Sequence, residues 1–373
     1  MTFFKPWQSL LTVGVTLSSL MLAMPRGEAF TATVNIPQIC AQNCAQINVT
    51  QAGILPNDGV DDAPHLNQLL KTASRNTILY FPAGRYELGS GLHGDQLNNV
   101  SIVGETGAEL VKTPAFKDEY LFYSRFSRNV GIRNLIFRGN TSDRTQYRWG
   151  ESGLYFGSSD GVVVENSNFY DFGDAAIRVT TSRAGAQGTH SHNATVRNNY
   201  FENVTQITTT SNQNRYGGTN GFFLYNNVFR HLKGTVKFAT RTPGAGQIIV
   251  RNNSISGVPS IPTSNGIEVV SYSNVFLENN LIADCGGFGM NIYTNTGPGI
   301  DGFDWGNYLI RNNTITRCAK GIRVSVSPYR NGYVPQVSTI TIENNRLQVA
   351  APQAIQLLNG HIRNAVVQGN NRT

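Results

Sequence analysis

The stretch IIVRNNSI, residues 248–255, decides the fold. Apolar residues alternate up to an asparagine, the chain bends, and a second short apolar alternation begins, which is strand, bend, strand. The same signature, an aliphatic residue two before an asparagine and an apolar residue three after it, recurs eight times, at Asn134, Asn166, Asn198, Asn226, Asn252, Asn279, Asn312 and Asn344. VVVENSNF (162–169), ATVRNNYF (194–201), VFLENNLI (275–282) and YLIRNNTI (308–315) are other copies. The asparagines are spaced by 32, 32, 28, 26, 27, 33 and 32 residues. A repeat of that length with β-type alternation and a variable remainder is one coil of a solenoid. The pattern therefore predicts a single-stranded, right-handed parallel β-helix, all-β, and excludes a helical solenoid because these segments carry no helical period. Stacking of the eight asparagines inward, about 4.8 Å apart, predicts a ladder of amide hydrogen bonds at the bends. Gly104 and Gly369 take the same position at the two ends of the stack.

Working outward, residues 63–73 carry the one helical period, with Leu66, Leu69, Leu70 and Ala73 on one face, Pro64 in the first turn and Asp61 or Asp62 placed to cap it. Such a helix ahead of a β-solenoid covers the open end of the core. Residues 1–29 hold Lys5, an uncharged stretch from Ser9 to Met24 and a small-residue end at Gly27 to Ala29, the pattern of a secretory signal peptide. The organisation expected is thus a leader over 1–29 and one domain over 30–373, with 30–92 as cap and lead-in and 93–373 as coils. The destination is secreted or periplasmic, and no later run is long and apolar enough to span a membrane.

Without the leader, 28 basic and 22 acidic residues remain from the 30 and 23 of the whole chain. The resulting charge of about +6 favours an anionic partner such as an acidic polysaccharide. Nucleic acid is disfavoured, because no lysine-rich run or recognition motif accompanies the charge. Nothing points to an oligomer, so a monomer is expected. The four cysteines of an exported chain invite pairing. Cys40 and Cys44 lie close enough to close a small loop. Cys285 and Cys318, each six residues past a repeat asparagine, should stack in adjacent coils, too far apart at about 4.8 Å for an unstrained bridge, so they are expected reduced and buried.

The residues Asp58-Gly59 and Asp61-Asp62, the short helix, and then Tyr80-Phe81-Pro82-Ala83-Gly84 with Tyr86, resemble the N-terminal segment of the pectate-lyase superfamily, which includes tailspike-type and polygalacturonase-like β-helix proteins. Together with the coils, the resemblance covers nearly all of the chain beyond the leader. It implies the β-helix fold and an action on polysaccharides, and says little about the chemistry.

A further strand in each coil carries a column of outward residues that reads Tyr155, Arg178, Thr208, Lys237, Glu268, Asn291, Arg323 and Gln356. Long loops after this strand, with residues 140–152 ahead of Tyr155, should build walls along it and place the aromatic rings of Trp149, Tyr216, Phe303, Trp305, Tyr329 and Tyr333 against sugars. The competing explanation is a solvated face with loops packed on themselves. The column offers cations and one carboxylate. Elimination on a uronate needs a base for the hydrogen beside the carboxylate and a cation to neutralise that carboxylate; Lys237 is the candidate base, with Arg178, Arg241 and Arg323 as candidate cations. Tyr155, Glu268, Asn291, Tyr293, Trp305 and Tyr329 are the candidate substrate contacts. Calcium at Glu268 is the one cofactor suggested, from a lone Glu-Asn pair. Hydrolysis asks for two facing carboxylates, for which Asp171, Asp174, Asp284, Asp301 and Asp304 are the possible partners of Glu268. His190 and His192 form a His-x-His pair without a third ligand in sequence. Three functions stay open: a lyase or epimerase acting on an acidic polysaccharide, a glycoside hydrolase, and a non-catalytic glycan-binding or envelope protein.

Overall fold

Each asparagine of the repeat turns the chain by adopting a left-handed backbone, with φ between 52° and 58° at all eight. Asparagine tolerates this region where most side chains do not, and Gly369 takes it at the end of the stack with φ 61°. A computed structural model describes residues 36–182, 190–210, 218–240, 246–296, 302–358 and 361–372. They form three parallel sheets of 12, 11 and 10 strands, visited in turn by every coil. The first sheet leads up to the asparagine, the second follows it, and the third carries the outward column.

The left-handed turn shifts the phase of the alternation. Val196 points inward, Arg197 outward, Asn198 forms the corner, and it is Asn199 that is buried, with Asn198 exposed. The same holds throughout: the eight repeat asparagines lie in solvent, and the inward ladder is built by the next residue. This corrects the expected ladder by one position. From Asn199 the amide Nδ2 donates to Oδ1 of Asn227 (3.1 Å), and the relay continues to Asn253, Asn280, Asn313, Asn345 and Asn370 at 2.9–3.0 Å. Each of these oxygens also accepts the backbone N–H of the coil below, as Asn253 does from Asn227 (3.0 Å). Ser167 and Leu135 fill the ladder position in the earlier coils. Beside the ladder Phe137, Phe169, Phe201 and Phe229 stack with centroids 4.9, 4.9 and 4.6 Å apart; each such pair adds roughly 0.5–1.5 kcal/mol beyond area burial.

The helix Ala63–Thr72 buries Ala63, Leu66 and Leu70 in the core that holds Leu79, Phe81 and Leu92. Asp61 supplies its N-terminal bond, accepting from the Ala63 N–H at 3.0 Å. The strands Ala45–Asn48, Arg75–Phe81 and Gly84–Leu88 already belong to the sheets, so the coils begin within the lead-in rather than at residue 93. At the far end Leu358, Val366 and Val367 are exposed. Residues 1–29 lie outside the described residues, among which no helix is long and apolar enough to cross a membrane.

Both cysteine pairs are bridged, Cys40 to Cys44 and Cys285 to Cys318. The second overturns the expected reduced pair. The two Cα atoms approach to 4.2 Å, closer than the regular coil spacing of about 4.8 Å.

Asp62 is a buried acid whose Oδ2 accepts the Glu87 N–H at 3.0 Å. Burial pushes its carboxyl up to about 6 from the usual 3.8. The folded chain therefore holds this proton more tightly than the unfolded chain, and the associated stability is complete below about pH 4 and lost as pH rises through about 6. Asp62→Asn should raise the melting temperature well above neutrality and change it little near pH 4, as paired thermal melts would read.

Candidate active site on the third sheet

Strand pairing aligns the outward column as read from the sequence. Tyr155 faces Arg178, Arg178 faces Thr208, Thr208 faces Lys237, and the series runs on through Glu268, Asn291, Arg323 and Gln356. Tyr123 extends it at the N-terminal side. The column is not a solvated face. Tyr155, Arg178, Thr208, Glu268 and Asn291 are all buried. On the side joining the second sheet to the third, the loop before Ser152 reaches across several coils: Tyr147 donates its hydroxyl to the Lys233 carbonyl (2.9 Å) and lies 2.7 Å from the Thr263 hydroxyl.

Several residues expected to meet substrate serve the interior instead. Arg178 is 1% exposed; its guanidinium pairs with Asp174 at 3.2 Å and donates to the Thr210 carbonyl at 2.9 Å. Arg178 stands on the strand Ala175–Thr180 and Asp174 at the bend just before it, and burial of both charges is tolerated because each is paired. Tyr155 lies against Tyr123, nearly parallel at 4.6 Å. Trp305 and Tyr329 are core residues, joined by the indole N–H to the Tyr329 hydroxyl at 3.3 Å, so neither offers a ring to a sugar. Tyr216, Arg241 and Asp301 lie outside the described residues.

Lys237, Glu268 and Tyr293 come together. The strands Thr235–Ala239, Ile267–Val270 and Phe288–Tyr293 are successive neighbours in the sheet. The Lys237 ammonium lies 2.8 Å from Glu268 Oε1, the Tyr293 hydroxyl donates to the same oxygen at 2.6 Å, and Asn265 Nδ2 donates to Oε2 at 3.2 Å. The Lys237 side chain keeps 30% exposure against 8% for Glu268. Burial, then the Glu268 carboxylate, holds the Tyr293 phenol far above its ordinary range, so it stays protonated. Asn265, which steadies the carboxylate, was not signalled by the sequence; it stands in a loop outside the alternation. Farther along, Arg323 donates to Asn291 Oδ1 at 2.8 Å and lies over the Phe288 ring at 4.4 Å.

Calcium does not fit at Glu268. Both carboxylate oxygens face donors, one of them an ammonium, and no cluster of three or more His, Cys, Asp or Glu suited to a metal exists among the described residues. His190 instead lies 3.0 Å from the Thr181 hydroxyl, its imidazole pushed down by burial and by His192. The carboxylates proposed as partners for hydrolysis are committed elsewhere. Asp171 accepts from Asn203 (2.7 Å), Asp284 pairs with Arg317 (2.7 Å), and Asp304 accepts from the Tyr333 hydroxyl (2.7 Å).

Comparison with known proteins agrees with this architecture. Among solved structures, an exopolygalacturonase from Thermotoga maritima superposes with a TM-score of 0.59 at 14% identity, over 90% of this chain and 94% of that one. The Streptococcus pneumoniae surface protein and adhesin PfbA gives 0.51 at 13% identity, over 88% and 97%. A family 28 exopolygalacturonase from Yersinia enterocolitica gives 0.52 at 11% identity, over 88% and 78%. At these identities the likeness is one of fold. No curated protein sequence matches significantly. Residues 215–373 match the right-handed beta helix region model. Residues 46–291, two thirds of the sequence, match a second family model, and on that match the chain belongs to the rhamnogalacturonase A/epimerase, pectate lyase-like family of right-handed parallel β-helix proteins.

Proposed function

We propose that the protein is an enzyme acting on an acidic, uronate-containing polysaccharide bound along the third sheet, and that its reaction begins with removal of the hydrogen at C5, beside the uronate carboxylate. The observation that carries this reading is the Lys237–Glu268–Tyr293 cluster, in which a solvent-reaching cation and a carboxylate lie 2.8 Å apart. A uronate presents a carboxylate and, on the adjoining carbon, the hydrogen to be removed. One compact cation and base pair meets both.

We read Lys237 as the cation rather than the base, a reading that its contact with Glu268 supports. Its ammonium pairs with the uronate carboxylate, which makes the C5 hydrogen more acidic, and Glu268 takes that proton. In elimination the C5–H electron pair becomes the C4=C5 bond as the C4–O4 bond breaks, and O4 takes the proton of Tyr293. Glu268 then returns its proton to the phenolate, leaving the enzyme unchanged. In epimerisation the first step is the same, a proton drawn from solvent is added to C5 from the opposite face, and Glu268 releases the proton it took to solvent. The family's description names a rhamnogalacturonase and an epimerase and is worded pectate lyase-like, and the engaged carboxylates of the site support proton removal above hydrolysis.

Incubation with polyuronates should yield products with a C4=C5 bond, seen as ultraviolet absorbance, or an altered uronate epimer ratio. New reducing ends with neither change would mean hydrolysis. Binding without turnover across acidic and neutral glycans would leave a glycan-binding protein and end the enzymatic reading.

A further inference from the structure

A second cationic site lies away from Lys237, between the loop that follows the strand Ala108–Lys112 and the loop that precedes Ser152. A cavity of about 460 Å³ opens there, lined by Lys112, Phe116, Lys117, Arg148, Trp149 and Glu151, among others. Lys112 is 2% exposed. Its ammonium donates to the Glu119 carbonyl at 3.1 Å, lies 4.4 Å from the Phe116 ring centre, and stands 3.5 Å from Glu151 Oε1.

Glu151 is not a dedicated counter-ion. Its carboxylate already accepts the Thr141 hydroxyl (2.6 Å), the Gly173 N–H (2.8 Å) and the Asn140 N–H (3.0 Å), all shorter than the contact to Lys112. With the Glu119 carbonyl and the Glu151 carboxylate as its partners, the buried ammonium keeps a third donor that a ligand entering the cavity can meet. Burial pushes its pKa down to about 8, against the opposing pull of the Glu151 and Glu119 carboxylates. Two further cations, Lys117 and Arg148, stand at the exposed rim. Of the rim acids, Asp118 accepts the Gly91 N–H at 2.8 Å. Trp149, at the same rim, is 63% exposed, an unusual state for the largest apolar side chain and one suited to a flat ring laid against it. Its loop is tied down by Tyr147 on Lys233 and Thr263, so the tryptophan stands on a held strap.

We infer that this cavity binds one acidic sugar residue, with its carboxylate at Lys112 and Arg148 and its ring on Trp149. The inference extends the proposed action on acidic polysaccharides by a remote subsite. Ser152–Gly157 and Thr235–Ala239 are three steps apart in the third sheet, about 14 Å at 4.8 Å per coil, so the residue held here lies a few sugars from the reacting bond. Binding energy gained so far from the chemistry fixes the polymer's register.

Calorimetry with an oligogalacturonate in the Lys237→Ala background, where the proposed chemistry is stopped, tests the site apart from turnover. Trp149→Ala and Arg148→Ala should each weaken binding at least about tenfold, Lys112→Met should do the same, and a neutral galactan oligosaccharide of equal length should not bind. Because Arg148 and Trp149 are exposed, their variants keep the test valid if Lys112→Met fails to fold by circular dichroism. Undiminished binding in the Trp149 and Arg148 variants, or equal binding of the neutral sugar, overturns the inference. Loss of binding in these variants together with no turnover by the wild type would uphold the subsite and reject the proposed reaction.

Discussion

Glu268→Gln should lower turnover of a polyuronate by a factor of about 10²–10⁴, the usual contribution of a positioned general base, while the fold stays intact. The amide keeps an oxygen for Lys237 and Tyr293, so the local contacts at 2.8 and 2.6 Å have a close substitute, and only the capacity to take a proton is removed. Lys237→Ala should be comparably damaging through loss of the cation. Lys237→Arg separates the two roles a lysine has in such a site. An arginine remains charged and cannot serve as a base, so turnover well above that of Lys237→Ala identifies the residue as the carboxylate partner. Steady-state kinetics on the four proteins reads the result. Equal inactivity of the arginine and alanine variants, with Glu268→Gln still active, would return the base to Lys237.

The second large effect concerns the ladder. Asn253→Leu should cost about 3 kcal/mol or more, because each buried polar group left unpaired costs roughly 1–3 kcal/mol and several are affected at once. Asn253 Oδ1 accepts both the backbone N–H and the side-chain amide of Asn227, and its own amide donates to the carbonyls of Leu224 and Arg251 and to Asn280. Leucine satisfies none of these. Its neighbour Asn252 is exposed and holds φ 57°, so Asn252→Gly should be nearly neutral and Asn252→Leu should cost about 1–2 kcal/mol for the left-handed backbone. Chemical denaturation of the three variants reads the difference. Equal costs at 252 and 253 would mean that the corner, not the ladder, carries the stability.

Much of this architecture is legible in the residues. The aliphatic position two before each asparagine and the apolar position three after it are both interior, from Ile132 and Phe137 to Ile342 and Leu347. The lateral alignment of the outward column follows from its flanking apolar neighbours and matches the pairing strand by strand. The inward asparagine was misplaced by one residue because alternation was carried straight through the bend; a residue with positive φ resets the phase, and the doubled Asn-Asn of six repeats held the clue. Depth over the third sheet was not legible. Arg178 and Trp305 carry the residue types of a binding surface, but both are buried and paired, Arg178 with Asp174 and Trp305 with Tyr329, and such burial depends on long-range contacts, like Tyr147 to Thr263 across 116 residues, that carry no periodicity. The Lys112 cavity escaped for the same reason. Lys112 closes an ordinary short strand, and only the fold brings it to Glu151 and Trp149. The Cys285–Cys318 bridge joins Cα atoms 4.2 Å apart, a local approach that the average coil spacing does not contain.

The fate of the C5 hydrogen tests the central claim most directly. Wild-type protein is incubated with a polyuronate in deuterated water and the product is followed by proton magnetic resonance. Removal of that hydrogen predicts either its loss with appearance of a C4=C5 vinyl signal, or its replacement by deuterium with inversion at C5, and both should vanish in Glu268→Gln. A polymer that is shortened while every C5 hydrogen is retained would contradict the account.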